Sequence, residues 1–148
     1  MRAVMKRLEL ARVRVCQRCG RGRAELRSED GTVLTVLLDP PRARELSGAR
    51  VVDDGRSLAD FVLGELGATG RVASEVVIDV AHGQLRGLVS LVRGGEVEVV
   101  ACTAQEGVDL AVRGALCLYA TDEALAHAAP RPHEHEGPSG RGGPETLH

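Results

Sequence analysis

The stretch that decides the fold is VASEVVIDVAHGQLRGLVSLVRGGEVEVVACTAQEGVDLAVRGALCLYA, residues 72–120. Its first thirty residues form three runs rich in Val, Leu and Ile, separated by turns at His82-Gly83 and at Gly94-Gly95. Short β-rich runs joined by glycine-containing turns are typical of hairpins. The stretch therefore predicts a meander of three antiparallel strands.

The spacing of the apolar residues changes at Thr103. Thr103-Ala-Gln-Glu106 has the Ser/Thr-x-x-Glu form of a capping box, in which the first and fourth residues cap each other's backbone amides. Apolar residues then recur at helical spacing: Val108, Ala111, Val112 and Ala115. Gly114 is placed to end the helix, and Leu116 to Ala120 returns to strand character. The meander thus leads into a capped helix and a further strand.

The segment from Val97 to Leu125 resembles the last third of the bifunctional nuclease domain family, whose members are associated with DNase and RNase activity. Residues 100–107 (VACTAQEG) stand where the family has Val-Asp-Ala-Arg-Pro-Ser-Asp-Ala, and Asp122-Glu123 matches its final acidic pair. Upstream, Thr32 to Pro40 resembles the family's strand ending in Gly-Pro, and Ser57 to Gly67 its Leu-rich helix. The resemblance covers roughly residues 8–126. It implies the family's fold, a metal-dependent nuclease and a homodimer.

The remaining segments predict an α+β domain over residues 1–128, with an antiparallel-rich sheet packed against two principal helices. Leu8 to Val15 fits a strand with a bulge at Ala11-Arg12, and Arg23 to Arg27 is its hairpin partner. Thr32 to Leu38 is mostly apolar, which predicts a strand buried on both faces or nearly so. Further helices are predicted after Asp39, after Ser57 and from Asp122 to Ala128; residues 129–148, rich in Pro, Gly and His, are predicted to be a disordered tail.

Composition limits the function classes. The 148 residues suit one domain, and the only aromatic residues are Phe61 and Tyr119. Proteins that bind single strands by stacking need more aromatics, which argues against such a binder. No apolar run is long enough to span a membrane, so no membrane partner is expected. Four cysteines without a secretory signal predict a cytoplasmic protein with free thiols or a metal site.

Basic residues cluster near the N-terminus, although the whole chain carries a net charge of −2. Residues 1–23 contain eight basic side chains and a single acid, Glu9. Such a block is a candidate phosphate-binding surface. The candidate nucleic-acid-binding residues are Arg12, Arg14, Arg18, Arg21 and Arg23. Alternatively, these arginines simply cover a solvated strand face in an arginine-rich chain.

Cys16-x-x-Cys19-Gly20 lies between the first two predicted strands and has the spacing of half a zinc knuckle. A closed zinc site requires four ligands, and the chain has no second Cys-x-x-Cys pair. A second subunit, or His133 and His135, can complete the site. The alternative is an exposed turn with two incidental thiols.

Metal-assisted cleavage of phosphodiesters requires carboxylates that converge on a divalent ion, here Mg²⁺ or Mn²⁺. The candidate catalytic residues are Glu106 and Asp109, which share a helix face at spacing i, i+3, and Asp79 on a strand. Each also has a structural explanation: Glu106 as a cap, Asp109 on the solvent side of the helix, and Asp79 on an exposed strand face.

Two functions are therefore expected from the sequence. The first is a nuclease that hydrolyses DNA or RNA with a divalent metal. The second is an inactive nucleic-acid-binding or regulatory module on the same fold, since the family's Arg, Pro and Ser are replaced by Thr103, Ala104 and Gln105.

Overall fold

The computed structural model describes residues 5–47 and 58–127 as seven strands and four helices. The strands are β1 Met5–Val15, β2 Gly22–Ser28, β3 Val33–Leu38, β4 Val72–Ala81, β5 Gln84–Arg93, β6 Glu96–Thr103 and β7 Cys117–Thr121. The helices are α1 Pro40–Leu46, α2 Leu58–Ala68, α3 Ala104–Gly114 and α4 Asp122–Leu125. All seven strands form one sheet in the order β3-β2-β1-β7-β4-β5-β6. The predicted α+β class is confirmed.

The sheet is mixed. The meander β4-β5-β6 is antiparallel, as predicted, and so are the pairs β1-β2, β2-β3 and β1-β7. The exception is β7, which pairs in parallel with β4. The helix α3 carries the chain from the far edge strand β6 back to the middle of the sheet, so that β7 joins the N-terminal hairpin strands to the meander. The predicted bulge in β1 is present as a register shift between Leu10 and Arg12.

Alternation along the strands gives the sheet two different sides. Residues such as Leu26, Val76 and Ile78 are fully buried, and their cross-strand partners point to the same side. We call the side that carries these buried residues the inner side, because the four described helices pack on it. Helices α3 and α4 also contact the edge strand β3, which shows that the sheet curls around them. The opposite, outer side carries the exposed and half-buried residues of the same strands.

Two glycines let α3 lie unusually close to the sheet. A Cβ atom added at Gly87 in β5 would come within 2.9 Å of the Cys102 sulfur and 3.2 Å of the Gly107 Cα. A Cβ atom at Gly107 in α3 would lie 3.1 Å from Val76 Cγ1. Because real Cβ atoms rarely or never make contacts this short, the helix and the sheet approach backbone to backbone at this point. This close approach fixes the position of α3 over the meander.

Some sequence expectations were wrong in detail. Strand β3 is not buried on both faces, because it is an edge strand with Val33 and Leu37 exposed. In α3, Val112 is exposed rather than part of the apolar face. The final helix α4 has four residues and ends at Leu125, where the sequence predicts an end at residue 128.

Other expectations lie outside the described residues, namely the cap at Ser57 and the tail from residue 129. Within the two described ranges, no helix has both the length and the apolar character needed to cross a bilayer.

Candidate functional sites

The junction between β6 and α3 is held by the predicted capping box. The Glu106 backbone amide donates to Thr103 Oγ1 over 3.2 Å, and Glu106 Oε1 accepts from the Thr103 backbone amide, also over 3.2 Å. The Thr103 hydroxyl donates to the same Oε1 at 2.9 Å. The structure thus confirms Glu106 as a cap, and one of its carboxylate oxygens is engaged in that role.

One interpretation of the sequence places Asp109 on the solvent side of α3. The structure shows that this is wrong. Asp109 is 1% exposed, since α1 packs over this part of α3. Its Oδ2 lies 3.6 Å from Arg42 Nη1, and its Oδ1 lies 4.0 Å from Arg113 Nε. The same Arg42 nitrogen donates to Glu45 Oε2 at 2.9 Å. Asp109 therefore belongs to a cluster of two acids and two arginines, assembled from α1 and α3.

The protonation of Asp109 follows from this environment. Burial raises the pKa of its carboxyl, and the hydrogen bond and negative charge of Glu45 raise it further, to about 7. The positive charges of Arg42 and Arg113 oppose this shift but do not reverse it. Two carboxyl groups that share a proton in a buried site behave in this way, because both cannot ionise together without a large cost. Asp109 can thus hold a proton near neutral pH.

Asp79 lies on the outer side of the sheet. Arg86, its cross-strand partner in β5, donates from Nε to Oδ1 at 2.9 Å and from Nη2 to Oδ2 at 3.3 Å. The hydrogen bonds and charge of Asp79 raise the pKa of the Arg86 guanidinium. The sheet separates Asp79 from Glu106 and Asp109, which lie with α3 on the inner side. Of the three candidate catalytic residues, Glu106 and Asp109 lie together, and Asp79 lies apart from them.

The candidate arginines divide between a strand surface and a turn. Arg12, Arg14 and Arg23 point to the outer side of the sheet, where Arg14 and Arg23 are direct cross-strand partners. Glu25 forms ion pairs with Arg12 at 2.7 Å and with Arg14 at 3.4 Å. Arg7 and Arg27, which are not among the five candidate nucleic-acid-binding residues, lie on the same outer side. Arg18 and Arg21 are exposed in the turn that joins β1 to β2.

We call this set the arginine surface; its members are Arg7, Arg12, Arg14, Arg18, Arg21, Arg23 and Arg27. Within residues 5–47 and 58–127, no carboxylate lies within ion-pair distance of Arg7, Arg18, Arg21 or Arg27. The acids Glu9 and Glu25 lie on the same side of the sheet, so the surface keeps an excess of positive charge. The alternation of charged and apolar residues in β1 is the sequence signal that identifies it.

Cys16 and Cys19 occupy the turn between β1 and β2. The Cys16 amide donates to Arg21 O at 2.7 Å, and the Gly20 amide, with φ of +81°, donates to Cys16 O at 2.8 Å. Cys16 is buried, Cys19 is half-buried and neither forms a disulfide bond. No cluster of three or more potential metal-ligand side chains occurs in the described part of the chain, and His133 and His135 lie outside it. The zinc half-site stays a prediction.

A cavity of about 220 Å³ lies on the inner side of the sheet, between α2, α3 and the strands β5 and β6. Its walls are mainly apolar: Val62, Leu66, Val89, Leu91, Val100 and Leu110. Arg42, Cys102, Glu106 and Asp109 supply its polar atoms. Burial and the charge of Glu106 raise the pKa of the Cys102 thiol to about 11, so that it stays protonated and unreactive. No sequence pattern predicts this cavity, because its lining residues come from five separate elements: α1, α2, α3, β5 and β6.

Comparison with known proteins adds no family to these observations: no family model matches the chain, and no curated protein matches its sequence. The resemblance to the bifunctional nuclease domain family stays a prediction of the sequence.

Proposed function

We propose that this chain binds nucleic acid through its arginine surface, without reading the base sequence. The observation that carries the proposal is a group of four exposed arginines, Arg7, Arg18, Arg21 and Arg27, for which the described residues offer no carboxylate within ion-pair distance. Positive charges without partners on one surface repel each other, and bound phosphates relieve this repulsion. Guanidinium groups also match the geometry of phosphate oxygens.

The positions of these four arginines support a contact with the phosphate backbone rather than with bases. Arg18 and Arg21 extend the positive charge beyond the end of the strands, and Arg7 and Arg27 extend it across the sheet. Among the described side chains, the one aromatic beside the surface is that of Tyr119, the cross-strand partner of Arg7. One aromatic ring does not make a stacking platform for successive bases. Affinity that depends on charge and falls steeply with salt is the expected result.

Fluorescence anisotropy with labelled single- and double-stranded DNA and RNA tests the proposal. The double variant Arg18→Ala/Arg21→Ala removes two exposed arginines that make no ion pair in the described structure, so a loss of affinity reports on the nucleic acid contact alone. We expect the slope of log K against log salt concentration to fall by about 2. The control is Arg93→Ala, which removes an exposed arginine at the other end of the sheet. Equal binding by the double variant and the wild type contradicts the proposal.

Metal-assisted hydrolysis of phosphodiesters is a second candidate function, supported by one observation: Glu106 and Asp109 line the same cavity. As a resident site for Mg²⁺ or Mn²⁺ the residues fit poorly. Glu106 Oε1 is engaged with Thr103, Asp109 is paired with arginines, and Asp79 lies across the sheet. One or two carboxylates can hold Mg²⁺ when water completes its coordination, but the positive charges of Arg42 and Arg113 beside Asp109 oppose a further cation there. We therefore derive no catalytic step from them.

Incubating the purified protein with DNA and RNA in the presence of Mg²⁺ or Mn²⁺ separates the two functions. Binding without cleavage supports the first proposal and removes the second. If cleavage occurs, Glu106→Gln distinguishes a ligand from a cap, because glutamine still caps the helix but is a poor metal ligand. Loss of cleavage with unchanged stability would assign Glu106 to the metal. Measuring zinc in the purified protein tests the separate prediction for Cys16 and Cys19.

We further propose that the chain forms a homodimer through β6. In the described residues this edge strand pairs only with β5, and it exposes Val97 and Val99 by 65% and 58%. Antiparallel pairing of two copies about Val99 places Val97 of one copy opposite Ala101 of the other. In this register no glutamate lies opposite another glutamate, so no pair of like charges opposes the association of a second copy.

Light scattering coupled to size-exclusion chromatography measures the mass. Val99→Lys is expected to convert a dimer to a monomer, since a lysine on an edge strand opposes pairing. The control is Val33→Lys on the other edge strand, β3, where valine is also exposed. A monomeric wild type, or a dimer that survives Val99→Lys, would exclude this interface.

A further inference from the structure

The turn between β1 and β2 places Cys16 and Cys19 on a single helical turn. The Gly20 amide donates to Cys16 O at 2.8 Å, which is the i→i+4 hydrogen bond of one turn of α-helix. In helical geometry, Cα atoms three residues apart lie about 5 Å from each other. Cysteines joined by a disulfide have Cα atoms about 4.4–6.8 Å apart. The turn therefore brings the two cysteines within bonding range.

Contacts at both ends hold the turn in this shape. The Cys16 amide donates to Arg21 O at 2.7 Å, and β1 and β2 pair up to the residues just outside these two. Gly20 adopts a φ of +81°, and a Cβ atom at this position would lie 3.3 Å from Pro40 Cβ, so the turn rests against the start of α1. Because the backbone is held, the two thiols stay near each other in the folded protein.

The two thiols differ in their access to solvent. Cys16 is 4% exposed, whereas Cys19 is half-buried. A reagent from solvent therefore reaches Cys19 first. Cys16 is then placed to react with a bond formed at Cys19, which is the division between an attacking and a resolving cysteine.

The charge around the pair favours an anionic reagent. Arg18 lies between the two cysteines in sequence and Arg21 follows them; both are exposed, and in the part of the chain that the structure describes no carboxylate lies within ion-pair distance of either. Reactive cysteines occur in electropositive, partly exposed surroundings of this kind. Positive charge also attracts anionic reagents from solution. Cys102 is the contrast, since burial and the charge of Glu106 raise the pKa of its thiol to about 11.

We propose that Cys16 and Cys19 are a redox-active dithiol that exchanges with anionic, low-molecular-weight disulfides such as glutathione disulfide. The Cys19 thiolate attacks one sulfur of glutathione disulfide; a bond forms to Cys19 and one glutathione thiolate leaves. The Cys16 thiol then gives its proton to solvent, and its thiolate attacks the Cys19 sulfur and releases the second glutathione. Two protein thiols are oxidised to one disulfide, and one glutathione disulfide is reduced to two glutathione molecules. This chemistry does not depend on whether the chain binds nucleic acid.

The geometry of the turn favours a disulfide that is readily reduced again. Side chains three residues apart on a helical turn have Cβ atoms about 5–6 Å apart, whereas a disulfide requires about 3.5–4.5 Å. The turn must tighten slightly to close the bond. Strained or exposed disulfides are the ones that glutathione reduces, and they are exchanging rather than structural bonds.

Equilibration of the purified wild-type protein with mixtures of reduced and oxidised glutathione tests the proposal. The buffer contains EDTA, because a bound metal ion would occupy the same thiolates. Acid quenching, alkylation and mass spectrometry then count and locate the free thiols. We expect all four cysteines to be alkylated in reduced glutathione. In glutathione disulfide, Cys16 and Cys19 should escape alkylation and lose about 2 Da together, as one disulfide. An excess of reduced glutathione should restore both thiols.

Single variants assign the two roles. Cys16→Ser removes the resolving thiol and should accumulate a mixed disulfide of glutathione with Cys19. Cys19→Ser removes the accessible thiol and should form much less mixed disulfide. The matched control is Cys117→Ser in β7, which leaves the pair intact and should behave as the wild type.

If Cys16→Ser does not fold, mapping of the wild-type disulfide still decides. A wild type that keeps Cys16 and Cys19 reduced in glutathione disulfide would overturn the proposal. A disulfide that involves Cys102 or Cys117 instead, or one that excess reduced glutathione leaves intact, would also overturn it.

Discussion

Asp79 and Asp109 lie on opposite sides of the same sheet, and the fold treats the two carboxylates differently. On the outer side, Asp79 is half-buried and makes two hydrogen bonds with Arg86, with water able to complete its solvation. On the inner side, Asp109 is buried, shares its arginines with Glu45 and keeps one oxygen without a partner. An ion pair on a wet surface thus satisfies both groups, whereas in the buried cluster a proton held by Asp109 lowers the negative charge of the two acids.

The first test, with the largest expected effect, disturbs the close approach of α3 to the inner side of the sheet. Gly87→Ala forces a methyl group against Cys102 and the Thr103 carbonyl oxygen, at 2.9 and 3.1 Å. Helix α3 must move away, and overpacking of this kind costs about 3 kcal/mol. Urea denaturation measures the free energy of unfolding. Gly95→Ala in the β5–β6 turn, where nothing lies within 4 Å, is the matched control and should change it little. Equal effects of the two substitutions would refute the close approach.

The second test uses pH to separate Asp109 from Asp79. In the unfolded chain the pKa of Asp109 is about 3.9, and in the folded protein it is raised to about 7. The folded state therefore binds more protons between these values, and its stability falls as pH rises through this window. Between pH 5 and pH 8 the loss is on the order of 2 kcal/mol.

Asp109→Asn should remove this loss, because asparagine does not ionise. Denaturation at both pH values in the wild type and the variant measures the difference. Glu96→Gln, which removes an exposed carboxylate in β6, should retain the wild-type decline. An Asp109→Asn variant with the same decline as the wild type would show that the buried pair holds no extra proton.

A third test weakens the capping box at the start of α3, the helix that carries Asp109. Thr103→Ala removes the hydroxyl that accepts from the Glu106 amide, and we expect a loss of about 1 kcal/mol. Thr103→Ser keeps that hydrogen bond and should restore most of the stability. Unfolding experiments in urea compare the three proteins; a serine variant as weak as the alanine variant would contradict the capping role.

The smallest effect is expected on the outer side. Asp79→Ala removes the partner of Arg86, and exposed ion pairs contribute little because water and salt screen them. We expect the smallest loss of stability of the four, and one that disappears in about 1 M NaCl. Thermal unfolding at low and high salt measures it. A large loss that persists in high salt would show that the two sides of the sheet do not differ as described.

Local patterns were enough to predict most of the elements. The turns at His82-Gly83 and Gly94-Gly95 gave the meander, and Thr103 with Glu106 gave the start of α3. The prediction that β3 is buried on both faces or nearly so was wrong, because an apolar run has the same sequence pattern at the edge of a sheet as in its middle. The prediction for Asp109 failed because α1, more than sixty residues earlier in the chain, covers the helix face on which it lies.

By itself, the sequence determined the order of the strands along the chain, the capped helix and the concentration of arginines near the N-terminus. These properties depend on neighbours within a few positions, and strand period, helix period and turn chemistry are local. Tertiary structure alone decided the parallel pairing of β7 with β4, the separation of Asp79 from Asp109 and the cavity beside α3. Each of these joins residues distant in sequence, and burial, with the charge it permits, is a property of the folded surface rather than of any segment.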